Sequence, residues 1–341
     1  MTPIHTETEL EELLSRPSAE LISLMKRLEG DILILGVAGK IGLTLGIAAA
    51  RACAEAGVKK RIMGAARFSE KGGREKLQAA GVQTIPCDLL DRAAVEKLPD
   101  AQNVIFLAGK KFGTSGAESL TWAMNTLAPA YIAGRFSQSR ILAYSTGCVY
   151  DFVSPLGGGS SETDTPHPQG DYAQSCLGRE RVFHYFSEKY RTPVLIFRLN
   201  YAVEPRYGVL RDIADKVLAD KTIDLATGNF NCIWQGDVIS QTLLALELCA
   251  SPPAILNVSG PETVSVRWAA REFGLRFGKT PVFTGTEQDR VWLTNAAKAA
   301  SLFGYPRVTL TQAIDITAEW MLAGGSSLNK PTHFEARDGR Y

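Results

Sequence analysis

Three glycines, Gly36, Gly39 and Gly42, stand three residues apart at the end of the apolar run Asp31-Ile32-Leu33-Ile34-Leu35. Residues of that type at that spacing hold phosphate. Gly36 lets the chain turn, Gly39 lets backbone N–H groups approach a pyrophosphate, and Gly42 lets the next helix lie close on the strand. Lys40 and Ile41 fall between them, where that helix begins. A glycine-rich turn is also plain loop chemistry, so its surroundings must decide. Other chemistry is less evident: the six cysteines are scattered without C-x-x-C spacing, which suggests neither a disulfide framework nor a zinc site.

The elements that would position this cradle alternate between strand and helix. After Asp31 the apolar runs are Arg61–Ala66, Val82–Pro86, Asn103–Ala108, Arg140–Thr146 and Pro193–Leu199. Several are nearly unbroken, as in strands covered on both faces, so the expected class is α/β, a doubly wound parallel sheet of Rossmann type. Residues 1–30 form an N-terminal helical extension with two stripes, one capped by Thr8 with Glu11, the other by Ser18. It either packs on the main domain or makes a dimer contact. The nucleotide-binding domain spans 31–200, and 201–341 is mainly a smaller α/β substrate lobe, including a strand Ala254–Val258 and a polar, aromatic tail. The stretch Pro155–Ser161 (PLGGGSS) is either a flexible connector or a lid.

A net charge of +1 spread along 341 residues offers no basic stripe for nucleic acid. No apolar run approaches the length of a membrane span and the N-terminus is acidic, so we expect a cytoplasmic protein with neither nucleic acid nor membrane as partner.

With the following pieces in the same order over residues 31–325, the sequence resembles the extended short-chain dehydrogenase/reductases, the NAD-dependent epimerase/dehydratase family. The resemblance implies that Asp88 in Cys87-Asp88-Leu89 contacts the adenine and that Leu107-Ala108-Gly109 lines the cofactor cleft. Lys111 looks like the lysine that UDP-galactose 4-epimerases carry after this strand. Asn125 matches the asparagine behind the nicotinamide. Tyr144 to Tyr150 is similar to the SSxxVYG run and puts Thr146 at the catalytic serine/threonine. Asp171-Tyr172-Ala173-Gln174-Ser175 matches the start of the YxxSK helix, with Glu180 its usual glutamate, while Arg198–Pro205 and Asn257–Gly260 look like the RxxNxxGP and NxxG segments. The implied activity is oxidation, reduction or epimerisation at a secondary alcohol of a carbohydrate-like small molecule. Tyr172 would take the hydroxyl proton, Thr146 would steady the oxyanion, and Asn125 and Lys111 would support them. A homodimer built on the helices flanking the lid also follows from the resemblance.

Three departures carry information. The lysine four residues after the tyrosine is Cys176, so Tyr172 loses a neighbouring charge. At about 6 Å and an effective dielectric near 20, that charge is worth roughly 3 kcal/mol, or about two pKa units. Lys111 or the nicotinamide ring would supply part of it, or the chain is a cofactor-binding sensor or scaffold with impaired turnover. Next, Ala66 replaces the acid that grips the ribose hydroxyls in NAD-binding members, and Arg67 follows it, which favours NADP over NAD. Finally, the diphosphate-gripping arginine expected seven residues before Asp237 is Phe230, leaving Arg206 or Arg211 as substitutes. A free sugar or sugar acid gains ground over a sugar nucleotide.

Overall fold

The structure, a computed structural model, describes residues 4–111, 113 and 116–337. Seven strands pair in parallel: β1 (Ile32–Leu35), β2 (Ile62–Ala66), β3 (Gln83–Pro86), β4 (Asn103–Phe106), β5 (Arg140–Thr146), β6 (Val194–Leu199) and β7 (Ala254–Val258). Their order across the sheet is β7-β6-β5-β4-β1-β2-β3. The inner strands β1, β2 and β4 are buried at every position because helices cover both faces. At the edge, β3 is half-exposed and ends in Pro86, whose missing N–H costs no ladder bond there. The chain runs outward from β1 to β3, then returns to place β4 on the other side of β1. That reversal opens a crevice at the carboxyl ends of β1 and β4, where α/β sheets bind ligands.

The strand Ala254–Val258, expected in the smaller lobe, is the seventh strand of the main sheet, in register with Leu195–Leu199. Reciprocal backbone bonds between Val194 and Ala250 guide it there. The smaller lobe packs Phe230, Phe273, Trp320 and Phe334 into its own core.

The N-terminal extension packs on the body of the protein and is shared between the two cores. Helix α1 (Glu7–Ser15) sends Leu10 and Leu14 into the smaller lobe, whereas α2 (Ala19–Arg27) sends Leu21, Leu24 and Met25 under the sheet. The cap of α1 is Thr6 with Glu9, two residues before the expected Thr8 and Glu11. Both pairs fit the capping pattern. Glu11 is instead drawn inward to Arg206, 2.9 Å away, and to the hydroxyl of Thr44 at 3.2 Å.

The stretch Pro155–Ser161 is neither a free connector nor a cover over the crevice. Ser160 N–H donates to Leu293 at 2.8 Å and its carbonyl accepts from Asn257, so the segment is tied down along residues 291–295. Among the described residues no helix is long and apolar enough to cross a membrane.

Candidate functional site

The crevice is a cavity of about 640 Å³ at the carboxyl ends of the central strands. At one end lies the glycine turn. Gly36 has φ +89°, and a Cβ there would stand 2.8 Å from the Ala108 nitrogen; at Gly42 it would stand 2.7 Å from the carbonyl oxygens of Gly36 and Val37. Both neighbours are backbone and cannot swing aside, so glycine is required at both positions. Gly39 caps α3 (Lys40–Ala56) without a side-chain bond, leaving the first N–H groups of a 17-residue helix facing the cavity. Gly36, Gly39, Lys40, Ile41 and Gly42 all line it. A dinucleotide pyrophosphate fits this end on steric and electrostatic grounds.

At the end of β2, Ala66 is buried and the exposed Arg67 lines the cavity. Leu107 and Gly109, beyond β4, form part of the wall, while Ala108 is buried behind Gly36. Asp88 is exposed just after β3, its carboxylate accepting the Leu90 N–H at 3.0 Å; Leu89 is in the core.

The floor carries the residues expected to do chemistry. Thr146 ends β5, and Tyr172 sits in the first turn of the helix Gly170–Tyr190. Tyr172 and Thr146 line the same part of the cavity. Burial raises the Tyr172 pKa well above the ordinary tyrosine value, and the Cys176 and Cys148 side chains add to the rise; Arg179 and the Thr146 side chain oppose it. Cys176 is fully buried one turn further on, its thiol pushed up to about 11 by burial. It is a neutral thiol at physiological pH. Lys111, on the opposite wall, stands 5.8 Å from the Tyr201 ring, and burial lowers its pKa.

Asn125 lies in a π-helical turn, Ala123–Leu127, a local widening common at functional sites. Its Oδ1 accepts from the Lys110 N–H at 3.2 Å and from Arg179 at 2.5 Å, and its Nδ2 donates to Ser175 at 2.9 Å. It thereby ties the loop after β4 to the Tyr172 helix from behind the floor.

Sequence reasoning overlooked Arg179, Tyr207 and Lys330, all of which line the cavity. Arg179 carried a signal, since it follows Cys176 by three residues on the same helix face. The two arginines considered as diphosphate grips are committed elsewhere. Arg206 pairs with Glu11 and Glu204 in the interior, and Arg211 bonds Asp215 and the carbonyls of Pro205 and Ser326. Phe230 is wholly buried.

This architecture is shared with solved proteins. The UDP-glucose 4-epimerase of Thermotoga maritima, solved with UDP-glucose, is 19% identical with a TM-score of 0.70. The UDP-glucuronic acid 4-epimerase of Bacillus cereus, in complex with UDP-glucuronic acid and NAD, is 20% identical with a TM-score of 0.69. Pal from Bacillus thuringiensis is 18% identical with a TM-score of 0.71. Each match covers 86% of this chain and 99% of the other. No curated protein matches the sequence. Residues 32–258 match the family model described as NAD dependent epimerase/dehydratase, which is well over half of the chain. The protein is therefore a member of the NAD dependent epimerase/dehydratase family, a family of enzymes.

Proposed function

We propose that this enzyme oxidises, reduces or epimerises a secondary alcohol of a sugar, a sugar acid or a related polyol. The observation that carries this reading is that Tyr172 and Thr146 line the floor of one cavity whose far end is a glycine turn at a helix start. A bound nicotinamide supplies the hydride acceptor or donor. Tyr172 holds or moves the hydroxyl proton at its Oη, and Thr146 Oγ1 steadies the alcohol oxygen. Gly36, Gly39, Lys40, Ile41 and Gly42 hold the pyrophosphate, Leu107 and Gly109 flank the dinucleotide, and Asn125 keeps the floor in place. Lys111, Tyr201 and Tyr207 face the substrate. With Phe230 in the core and Arg206 and Arg211 engaged, an arginine grip for a nucleotide diphosphate is lacking among these positions, which supports a smaller polyol-like substrate.

NADP is the favoured dinucleotide and NAD the weaker one. Supporting this, Ala66 offers no carboxylate to repel a 2′-phosphate and Arg67 lies exposed at the cavity edge. Arg67→Ala should weaken NADP binding about tenfold, for about 1.5 kcal/mol, and leave NAD affinity unchanged. Equal losses for both would assign Arg67 to general phosphate attraction. A homodimer is part of the same reading: Leu120, Leu127 and Tyr185 are exposed on helices flanking the site. Light scattering reads it out.

The deciding experiment follows reduced-nicotinamide absorbance over a panel of sugars, sugar acids and polyols, with Tyr172→Phe alongside and products checked for inverted stereochemistry. The variant should lose about 100-fold or more in turnover. Turnover that survives Tyr172→Phe would remove Tyr172 from the chemistry. Cofactor binding without turnover on any member would favour a non-catalytic sensor.

A further inference from the structure

We propose that Arg179 supplies the positive charge beside Tyr172, delivered from one helical turn further along and paired with the short side chain at Cys176. This rests on the reading of Tyr172 as the proton-transfer group.

Tyr172, Cys176 and Arg179 occupy one face of the helix Gly170–Tyr190, at positions i, i+4 and i+7. Long helical side chains lean toward the N-terminus of their own helix, so an arginine at i+7 reaches back over the turn that holds i+4. The hydrogen bonds show that it does. Nη1 of Arg179 donates to the Tyr144 carbonyl at 2.9 Å, two residues before Thr146 on β5, and Nη2 donates to Asn125 at 2.5 Å. The guanidinium lies 5.7 Å from the Phe106 ring. A Cβ on Gly109 would stand 2.5 Å from Nη2, so the glycine leaves the space that the guanidinium takes at the cavity wall.

Its partners are unusual for a buried cation. Arg179 is 5% exposed, its Nε has no hydrogen-bond partner, and its two acceptors are a carbonyl and an amide. The adjacent Glu180 is gripped by Arg198 through both oxygens and also accepts from Ser145. Glu180 is thus committed to Arg198, and among the described residues no carboxylate forms an ion pair with Arg179, although burying an unneutralised guanidinium is costly. Its field falls on the groups that remain. Those facing the Tyr172 phenol are Cys176 and Arg179 from its own helix, and Thr146 and Cys148 from the end of β5 and the turn after it. The Cys176 thiol, pushed up to about 11 by burial, is neutral at physiological pH, Lys111 interacts with the Cys148 and Cys176 side chains, and Arg179 favours the phenolate. Cys176 belongs to the same device, because a lysine there would compete with the guanidinium for one space and repel it.

The test reads the phenol directly and needs no turnover. Tyr172 is replaced by 3,5-difluorotyrosine, whose phenol is more acidic, and its ionisation is followed by fluorine NMR through the neutral and alkaline range, with and without saturating NAD. Arg179→Gln keeps hydrogen-bonding capacity and removes the charge; Arg179→Lys keeps the charge. The Gln variant should raise the midpoint by about one to three units, or leave the phenol protonated throughout, while the Lys variant stays closer to the parent. Cys176→Lys in the Arg179→Gln background should bring the midpoint back down. A midpoint unmoved by Arg179→Gln overturns the proposal. Should Arg179→Gln fail to fold, Arg179→Met and the Cys176→Lys double variant carry the same comparison. Tyr172→Phe retaining turnover would instead defeat the proposed function, a separate outcome.

Discussion

Lys40 opens α3 directly behind Gly39, with its ammonium 3.1 Å from the centre of the Tyr207 ring. Burial, together with the Lys111 and Lys330 charges, pulls its pKa down to about 7. Phosphates entering the cavity favour the ammonium form and raise that value. The bound pKa then exceeds the free one, so affinity is fully present below about 7 and is lost as pH climbs toward the bound value. The NADPH dissociation constant, followed by nucleotide fluorescence, should increase by up to about tenfold per pH unit over that window. Lys40→Met should flatten the dependence, and a flat profile in the parent would contradict the argument. At this scale the sequence was readable where a residue type answers one local demand. Gly36 and Gly42 are forced by nearby backbone, and Ala66 removes a charge whatever surrounds it. Cys176 was readable only as a gap. What fills that gap depends on the direction of the Arg179 side chain across a turn, which spacing alone does not fix.

The helix Gly170–Tyr190 is held against the sheet by charge as well as by apolar contact. Glu180 meets Arg198 of β6 in a two-point pair at 2.9 and 2.6 Å, Arg198 donates to the Tyr150 hydroxyl at 2.6 Å, and Tyr150 donates to Asn257 of β7 at 2.8 Å. Three elements and the turn after β5 are thereby locked together below Thr146 and Tyr172. Glu180 is 2% exposed, so Glu180→Ala leaves Arg198 buried and unpaired, at a cost of about 3–5 kcal/mol. Urea unfolding should show the midpoint falling with little change in slope. A loss below about 1 kcal/mol would mean that water or a shifted side chain satisfies Arg198. The motif segments around Arg198 and Asn257 were legible by resemblance; Arg198 and Asn257 themselves hold the elements together, while Tyr201 of the first segment lines the cavity. The strands were legible because burial on both faces leaves nearly unbroken apolar runs. Which sheet Ala254–Val258 joins was not, since its partner lies some sixty residues back at Leu195–Leu199. The cap of α1 shifted by two residues for a related reason: Thr6-x-x-Glu9 and Thr8-x-x-Glu11 are equivalent locally, and the long-range pull of Arg206 on Glu11 separates them.

The whole molecule is closed by its C-terminal segment, which crosses from the smaller lobe to the nucleotide-binding side. Thr332 donates to Asp212 through its backbone N–H at 2.7 Å, Lys330 pairs with Glu70 at 3.1 Å, and both Lys330 and Thr332 line the cavity. Phe334 anchors the segment, 1% exposed in the smaller core and 6.4 Å from the Phe230 ring. Nothing local in Lys330–Phe334 announces this, because its partners lie 120 residues away at Asp212 and 260 at Glu70. The same contacts separate anchoring from binding. Phe334→Ala should cost about 3–5 kcal/mol and also weaken NADPH, since the released segment takes Lys330 and Thr332 with it. Lys330→Ala removes a pair that is largely exposed, so stability should change by less than about 1 kcal/mol while NADPH binding weakens through the lost cation. Thermal melts and nucleotide titrations on the two variants decide the matter. If Phe334→Ala destabilises the chain and leaves NADPH affinity intact, the segment is a clasp for the smaller lobe and takes no part in holding the dinucleotide.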